Sequence, residues 1–438
     1  MIIEFTVENY LSYRDSKTLS MVALGQVSEH SETNVISNGR TLLLKSAVIY
    51  GANASGKSNL LSAMAYMRWF VINSSREGQA DEPIDVSPFK LDTATENKPS
   101  RFEVVFLMNG IRYRYGFQAD CKTVVAEWLF EAKKEKENPL FLREGDGIDV
   151  RPGFSEGKEL ESKTRGNALF LSVAANFNGE LAGNIIKWFG NLTMAHGLHE
   201  HQYASVSRHM IQNKSQKSRL VELIQRADLG IEDINVSEEA VVDPTKGAKF
   251  FSEEIRKLFS ETFSNKKNSL STVHTKYSNG TPSGVVSMNL DKEESAGTQK
   301  FFRLAGPILE SLEQGSILIV DELEAKLHPL LTRVIVRLYH SDVSNPNGAQ
   351  LIFATHDTNL LEHVKFRRDQ IWFAEKDQQQ ATDLYSLAEI KLVREDGSDQ
   401  KVRKDARYEK DYFKGKYGAV PYLGEFEKLL VQEEPIHG

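Results

Sequence analysis

The chain has 438 residues, of which 40% are hydrophobic and 26% are charged. This is ordinary for a soluble globular protein and excludes a disordered or fibrous chain. The 54 basic and 61 acidic residues give a net charge of -7, which excludes a polycation that coats nucleic acid, so any nucleic-acid site must be local. The length suggests about three domains, or one large domain with insertions.

The cellular setting is predicted from cysteine usage and from the absence of targeting signals. The single cysteine, Cys121, cannot form an internal disulfide, and no Cys-x-x-Cys pair is present to bind zinc. The first residues alternate apolar and polar side chains and include acids, unlike a secretion signal. No stretch approaches the roughly 18 apolar residues that a membrane helix needs. We therefore expect a cytoplasmic protein that makes no use of a membrane.

The first part of the chain predicts strands and one long helix. Ile3, Phe5 and Val7 alternate with polar residues and predict a half-buried strand. Two short apolar runs follow, and the second, residues 47–50, predicts a buried strand that stops at Gly51. Helical spacing of apolar side chains over residues 59–73 predicts a helix directly after this glycine-rich turn.

The middle third predicts a mixed insertion. Residues 102–117 form two alternating runs around Asn109-Gly110, a dipeptide typical of tight hairpin turns. Residues 131–165 are charged and predict exposed hairpins or loops that lie outside the core. An apolar stretch at 168–177 leads into predicted helices near residues 181–189, 218–227 and 251–263.

After residue 295 the sequence returns to an alternation of helices and apolar strands. Predicted helices and strands follow one another over residues 298–312, 317–320, 328–339, 351–354, 358–364 and 370–374. Such alternation with buried parallel strands indicates a doubly wound α/β domain. Because its two parts flank the middle third, this domain must be assembled from both ends of the chain.

The turn after residue 50 carries the first motif. Residues 51–58 match the phosphate-binding pattern GxxxxGK[ST], between a predicted strand and a predicted helix. In this pattern the backbone amides surround phosphate oxygens, the lysine reaches the terminal phosphates and the hydroxyl ligates Mg²⁺. The alternative is a glycine-rich structural turn. The predicted nucleotide-binding residues are Gly51, Asn53, Ala54, Ser55, Gly56, Lys57, Ser58 and Asn59.

Two acids end the strand at residues 317–320. Asp321 is suited to Mg²⁺, and Glu322 is suited to positioning or deprotonating the attacking water. The alternative is an acidic pair at a helix N-terminus. His356 follows the next apolar strand and can contact the terminal phosphate or hold the water in line, or it can be a hydrogen-bonded histidine at a helix start.

A small, glycine-containing segment lies just before the acidic strand. Ser295, Gly297 and Thr298 stand at the predicted start of a helix, where amides and the helix dipole can face a phosphate. By itself this segment reads as a plain N-cap made by Ser295 or Thr298. Its place in the order of motifs favours a nucleotide-binding signature.

The motif order, with its large central insertion, resembles ABC-type ATPase heads. The forms FTVENYLSY, YGANASGKSN, ESAGTQKFF, DELEAKLHP and ATHDTNLL resemble the compact ABC-like ATPases of bacterial anti-phage and abortive-infection systems. These are the RloA/AbiL-type proteins, related to the ATPases of the OLD, Septu and PARIS systems. The resemblance implies an ABC/SMC-type P-loop head with a mixed sheet, a parallel core and a central, mainly helical insertion. The implied segments are 1–130 and 291–438 for the head, with 131–290 as the insertion.

The resemblance also implies roles for single residues. Lys57, Glu322 and His356 would be catalytic, and Ser58 and Asp321 would hold Mg²⁺ beside ATP. The signature residues would act in trans on a second subunit, with residues 323–328 at the same interface, which implies a homodimer or an assembly of dimers. ABC heads also carry a glutamine near the metal. None is obviously placed here, and Asn176 is the candidate substitute.

The implied function is an ATP-driven sensor or scaffold of a defence complex that controls a separately encoded effector, such as a nuclease. The alternative is a recombination or SMC-like ATPase that acts directly on DNA. A transporter subunit is a weaker third possibility. The DNA alternative needs a basic surface, for which the sequence offers one cluster: Lys401, Arg403, Lys404, Arg407, Lys410, Lys414 and Lys416. Such a run is more often a solvated face or a partner interface.

Overall fold

A computed structural model describes residues 1–38, 41–77, 79–195, 200–239, 267–393 and 399–421. The strands in chain order are β1 (Ile2–Glu8), β2 (Lys17–Ser20), β3 (Val35–Asn38), β4 (Thr41–Leu44), β5 (Ser46–Tyr50), β6 (Ser100–Met108), β7 (Ile111–Ala119), β8 (Val124–Ala132), β9 (Asn138–Glu144), β10 (Gly147–Val150), β11 (Leu192–Ala195), β12 (Asp233–Glu239), β13 (Lys267–Ser278), β14 (Thr281–Asn289), β15 (Ile317–Val320), β16 (Gln350–Ala354), β17 (Ile371–Lys376), β18 (Thr382–Ser386), β19 (Lys391–Val393) and β20 (Asp399–Lys401).

The helices are α1 (Ser31–Asn34), α2 (Lys57–Asn73), α3 (Phe170–Asn176), α4 (Glu180–Gly190), α5 (Glu200–Gln212), α6 (Lys214–Arg226), α7 (Ala296–Gln314), α8 (Pro329–His340), α9 (Asn359–His363) and α10 (Tyr408–Phe413). The helix predicted at 251–263 lies outside the described residues. Among the helices of the described ranges, none combines the length and apolar character needed to span a membrane.

Two compact units make up the chain. The first contains Met1–Met194, Ser311–Glu324 and the residues from Arg333 onward, and the second contains Ala195–Glu310 and Ala325–Thr332. The first unit therefore joins segments from both ends of the chain. It also includes residues 131–194, which the sequence assigns to the insertion. The second unit carries α5, α6, most of α7 and the antiparallel sheet β12-β13-β14.

The first unit contains two large sheets. One is antiparallel and has the order β10-β9-β8-β7-β6-β1-β2. The other has the order β11-β15-β16-β5-β17-β18, in which β15, β16, β5 and β17 run parallel and β18 is antiparallel to β17. This mixed sheet with a parallel core confirms the predicted α/β class and P-loop architecture. The described part of the insertion contains the four helices α3–α6 and also strands.

Helix α2 belongs to the core that unites the two sheets. Its buried residues Leu60, Met64, Met67 and Phe70 share one apolar cluster with residues of both sheets. On the antiparallel side, the Phe70 ring lies 5.3 Å from that of Phe117. Aliphatic and aromatic side chains of this size dominate the free energy of burial. The helix that begins at the phosphate-binding turn is thus fixed by packing along most of its length.

The hairpin prediction around Asn109-Gly110 is confirmed, because β6 and β7 pair across this turn and both residues have positive φ, 52° and 76°. The prediction that residues 131–165 lie outside the core is wrong. This segment forms β9 and β10 at the edge of the antiparallel sheet, and Leu140, Phe141 and Phe154 are buried. Side chains alternate between the two faces of a strand, so charged residues stand between core residues along the sequence. The charged composition of the segment therefore does not reveal that one face is buried.

A buried carboxylate links this edge of the sheet to α3. Glu127 on β8 accepts hydrogen bonds from the backbone amides of Phe170 (2.6 Å) and Leu171 (3.0 Å) at the start of the helix. The Tyr115 hydroxyl donates to the same carboxylate at 3.0 Å, and the Arg143 guanidinium lies 3.9 Å away. Glu127 therefore caps the helix and satisfies several buried polar groups at once.

We expect Glu127→Ala to lower the free energy of unfolding of the first unit by about 3 to 5 kcal/mol, because it leaves a buried guanidinium without its counter-charge and two helix amides without their acceptor. Urea titration followed by circular dichroism measures this. Glu144→Ala, an exposed carboxylate on neighbouring β9, is the control and should change stability by less than about 0.5 kcal/mol. Equal effects of the two substitutions would contradict the capping role.

Candidate functional site

The phosphate-binding turn depends on two glycines in conformations that other residues rarely adopt. Gly51 has φ 155° and Gly56 has φ 107°. A Cβ atom on Gly51 would lie 2.3 Å from the carbonyl oxygen of Ala374, and one on Gly56 would lie 2.2 Å from Thr382 Oγ1. Because neither position has room for a side chain, the backbone itself forms the surface of the turn, as phosphate binding by amides requires.

A network of polar side chains holds the turn in place. The Thr382 hydroxyl donates to the carbonyl oxygen of Ser55 (2.9 Å) and contacts Ser12 Oγ (2.7 Å). The Tyr13 hydroxyl donates to the carbonyl of Gly56 at 3.1 Å, and the Asn59 amide donates to Ser12 Oγ at 2.7 Å. The side-chain amide of Asn59, a predicted nucleotide-binding residue, is therefore engaged in this network. No motif marks Ser12 or Thr382, because Ser12 follows β1 and Thr382 begins β18, and only the folded chain brings them together at the turn.

Lys57 is buried at the N-terminal end of α2. Its ammonium donates to the carbonyl oxygens of Gly51 (2.7 Å) and Ala52 (2.9 Å), and burial lowers its pKa to about 8. Ser55 Oγ is also buried and has no hydrogen-bond partner within the described part of the chain. A desolvated ammonium and an unsatisfied hydroxyl beside the glycine turn fit a phosphate group. Ser58 is exposed at the first turn of α2, where its hydroxyl can reach a metal ion.

The acidic pair follows β15 as predicted, and its two members differ. Asp321 is buried, whereas Glu322 is exposed and has a left-handed backbone with φ 50°. This turn at Glu322 allows the amide of Leu323 to donate to the carbonyl of Ala354 on β16 at 3.3 Å. A glutamate held in a left-handed conformation costs about 1 to 3 kcal/mol, and such strain is concentrated at functional sites.

His356 follows β16, the strand between β15 and β5. Its side chain is exposed, and its backbone amide donates to Glu324 Oε1 at 2.6 Å. Glu324 Oε2 accepts from the Thr355 hydroxyl, also at 2.6 Å. Sequence reasoning did not single out Glu324 within the segment 323–328. The only local signal was its place two residues after Glu322 in DELEAKLHP.

The electrostatics show that these predicted residues share one site in the first unit. Asp321, Glu324 and Glu322 each raise the pKa of Lys57 against the larger effect of burial. The pKa of His356 is lowered, first by partial desolvation and then by the Lys57 ammonium, while the same three carboxylates oppose the change. The structure therefore brings together a lysine, three carboxylates and a histidine at the carboxyl ends of parallel strands.

The predicted signature residues lie in the second unit. Ser295 is exposed, and its hydroxyl contacts Thr298 Oγ1 (2.9 Å) and accepts from the Thr298 amide (3.1 Å) at the start of α7. Thr298 itself is buried, so it serves the helix cap, and Ser295 and Gly297 remain accessible. A Cβ atom on Gly297 would lie 2.8 Å from the carbonyl oxygen of Lys326, which explains the need for glycine there.

The assignment of Asn176 as a substitute for the metal-contacting glutamine is wrong. Its amide donates to Ser75 Oγ at 2.6 Å, just after the C-terminal end of α2. The phosphate-binding turn is at the other end of this helix of 17 residues, about 25 Å away at 1.5 Å per residue. The error arose because the stretch before Asn176 is apolar and short, and its packing partner could not be predicted from its composition.

A phosphate-binding turn facing carboxylates at the carboxyl edge of a parallel sheet defines a P-loop nucleotide-binding protein. The family described as "AAA domain, putative AbiEii toxin, Type IV TA system" matches residues 46–362. This is more than half of the chain, so the chain belongs to that family. Its motifs and its family make it a P-loop ATPase with an AAA domain.

The other comparisons add little to this family assignment. No curated protein matches the sequence. Among solved structures, the SMC head domain from Thermotoga maritima is similar at a TM-score of 0.38 and 12% identity, over 88% of this chain and 98% of that chain.

We expect Gly56→Ala to weaken ATP binding at least about tenfold, a change of 1.4 kcal/mol, because the new Cβ meets Thr382 and displaces the turn. Calorimetric titration with ATP and Mg²⁺ measures the Kd. Gly110→Ala is the control, since Gly110 also has positive φ (76°) but has nothing within 4 Å of the added atom. An unchanged Kd in Gly56→Ala would show that the turn does not hold the nucleotide.

Proposed function

We propose that the chain binds and hydrolyses ATP as a sensor or scaffold subunit of a bacterial anti-phage defence complex. The observation that carries the ATPase part is the convergence of Lys57, Asp321, Glu322 and His356 on one edge of the parallel sheet. The defence part is supported by the family description, which names a toxin of a type IV toxin–antitoxin system, and by the motif forms that resemble anti-phage ATPases. In this proposal the protein controls a separately encoded effector, such as a nuclease.

The residues divide the work of phosphoryl transfer to water. Lys57 and the amides of the turn would bind the terminal phosphates, and Ser58 and Asp321 would hold Mg²⁺. When bound, Mg²⁺ would neutralise charge on the phosphate oxygens. Glu322, exposed at the end of β15, orients the attacking water and accepts its proton. His356 donates a hydrogen bond toward the terminal phosphate.

The proposal includes a dimer with composite ATP sites. Ser295 and Gly297 are accessible at the N-terminus of α7, a helix of 19 residues, where the helix dipole favours an anion. We propose that this signature covers the terminal phosphate held by a second subunit. Nucleotide binding would then control whether the subunits close on each other, and hydrolysis would release them.

We expect Glu322→Gln protein with ATP and Mg²⁺ to form a stable dimer or a larger assembly, because this substitution retains nucleotide binding and blocks proton transfer to the base. Native mass spectrometry measures the assembly. In the same background Ser295→Arg should abolish the dimer and leave the Kd for ATP within about twofold. Ser283→Arg, on the exposed hairpin β13–β14, is the matched control and should dimerise normally.

The effector part of the proposal has its own outcome. Glu322→Gln protein expressed with its neighbouring genes should carry a second polypeptide through purification. A monomer that does not respond to ATP would contradict the composite site. Purification without any partner, together with intact phage resistance from this gene alone, would contradict control of a separate effector.

A second candidate function is direct action on DNA, and the exposed basic segment favours it. All seven cations predicted between residues 401 and 416 are exposed. Arg403 forms an ion pair with Asp405 (2.6 Å), and Lys416 with Asp411 (2.7 Å). Tyr412 and Tyr417 are buried against Phe373, so these rings support the fold and are not available to stack on bases.

If the chain acts on DNA, duplex DNA should stimulate its ATPase rate, with an apparent affinity that falls steeply with salt. Reversing the charge of two exposed cations of this segment, Lys404→Glu and Lys414→Glu, should then reduce the stimulation and the salt slope together. Replacing Lys158 and Lys163, which lie on the 131–165 segment, with glutamate is the control. Absence of stimulation by any DNA would remove this candidate.

A further inference from the structure

Glu324 connects the ends of two neighbouring parallel strands. Its Oε2 accepts the Thr355 hydroxyl and its Oε1 accepts the His356 amide, both at 2.6 Å. Glu324 follows β15, and Thr355 and His356 follow β16. Two short hydrogen bonds to one carboxylate form a bidentate contact, which fixes direction as well as distance. This contact uses both oxygen atoms of Glu324 within its own subunit.

The backbone before Glu324 explains how its side chain reaches β16. Glu322 adopts a left-handed conformation, and the Leu323 amide then donates to Ala354 at 3.3 Å, with the Leu323 side chain buried. The chain is therefore turned back across the end of β16 just before Glu324. In this way the strained turn that exposes Glu322 also places Glu324 at the end of β16, the strand that His356 follows.

The contact continues beyond His356. The Thr355 hydroxyl, which donates to Glu324, also accepts the amide of Asp357 at 3.0 Å. Asp357 Oδ1 in turn accepts the amide of Asn359 at 3.1 Å, at the start of α9. Since Thr355 has no exposed surface, this hydroxyl is a fixed point of the loop. The backbone is thus held immediately before, at and after His356, although the imidazole itself is exposed.

We infer that Glu324 is a positioning residue, which aligns His356 with the phosphate-binding turn by hydrogen-bonding the backbone amide of His356 and the hydroxyl of Thr355. This inference rests on the proposed ATPase function and assigns a further residue to it. The Glu324 carboxylate acts through His356 and takes no proton in the reaction. The same contact couples the turn after β15 to the loop after β16, so that Glu322 and His356 keep a constant separation.

Hydrogen bonding and charge can be separated at this position. In Glu324→Gln the amide oxygen can accept the His356 amide while the NH₂ group donates to Thr355 Oγ1, whose hydroxyl serves as donor or acceptor. Glu324→Ala removes both contacts. A positioning role through hydrogen bonds therefore predicts that glutamine preserves most of the activity that alanine loses.

The test measures kcat, KM and ATP-binding stoichiometry for wild type, Glu324→Gln and Glu324→Ala. We expect Glu324→Ala to lower kcat by about 10- to 100-fold, the size of effect that misplacement by an ångström produces, with KM within about twofold of wild type. Glu324→Gln should stay within about fivefold of wild-type kcat. Rates are divided by the fraction of chains that bind ATP, so that loss of folded protein does not imitate loss of alignment.

A double-mutant cycle distinguishes positioning from a general loss of structure. If Glu324 acts through His356, Glu324→Ala should cause less than about a twofold further loss in a His356→Ala background, because the two residues act as one unit. Thr355→Val, which removes one of the two contacts, should give an intermediate loss. Glu362→Gln, an exposed carboxylate on α9 after the same loop, is the matched control and should resemble wild type.

The outcomes separate this inference from the function on which it rests. Wild-type protein that hydrolyses ATP, with Glu324→Ala at the wild-type rate or with fully additive losses in the cycle, would overturn the positioning role and leave the ATPase proposal intact. Loss of activity in Glu324→Gln equal to that in Glu324→Ala would overturn the hydrogen-bonding account. Wild-type protein that hydrolyses no ATP would overturn the proposed function and this inference together.

Discussion

The site depends on the pairing of β16 with β15 on one side and with β5 on the other. Val320 at the end of β15 is level with Phe353, and Phe353 is level with Val48 on β5. The strands are parallel, so the segments that follow them leave the sheet at one edge. The acidic turn, the histidine loop and the phosphate-binding turn become neighbours for this reason. A shift of β16 by one residue would separate them and reverse every buried side chain.

Buried glutamine side chains fix this register at the other end of the strands, where β16 and β17 begin. Gln350, which begins β16, donates to the carbonyl oxygens of Ile2 (3.0 Å) and Leu44 (3.1 Å) and accepts the Ile2 amide at 2.7 Å. The side-chain amide of Gln370, just before β17, donates to two atoms of Ser46, the carbonyl oxygen at 3.1 Å and the hydroxyl oxygen at 2.9 Å. A slipped strand would leave these groups buried without partners, at a cost of about 1 to 3 kcal/mol for each. The hydrogen bonds at the beginning of the strands therefore fix the register, and the site at the carboxyl ends depends on that register.

The parts of the fold that could be predicted from sequence are those whose cause is local. Residues 46–50 and 57–73 carry their own apolar periodicity, and the glycine motif between them carries its own conformational demand, so strand, turn and helix are all confirmed. Glu324 could not be identified in this way because its two partners follow another strand, β16, and only the register of β15 with β16 brings them together. The prediction that Asn176 contacts the metal ion was wrong for the same reason, because the neighbours of Asn176 depend on how α3 packs.

The charge balance of the site links nucleotide binding to a metal ion. Around one buried ammonium, Lys57, the fold places Asp321, Glu322 and Glu324, so carboxylates outnumber the cation where the phosphates would lie. A bare triphosphate entering here would meet like charge in a partly desolvated setting, where repulsion is strong. In the proposed function, a divalent cation held by Asp321 and Ser58 would remove this repulsion, so the site would favour the metal–nucleotide complex over the free nucleotide. Because Glu324 is committed to Thr355 and His356, it contributes its charge without competing with Asp321 for the metal ion.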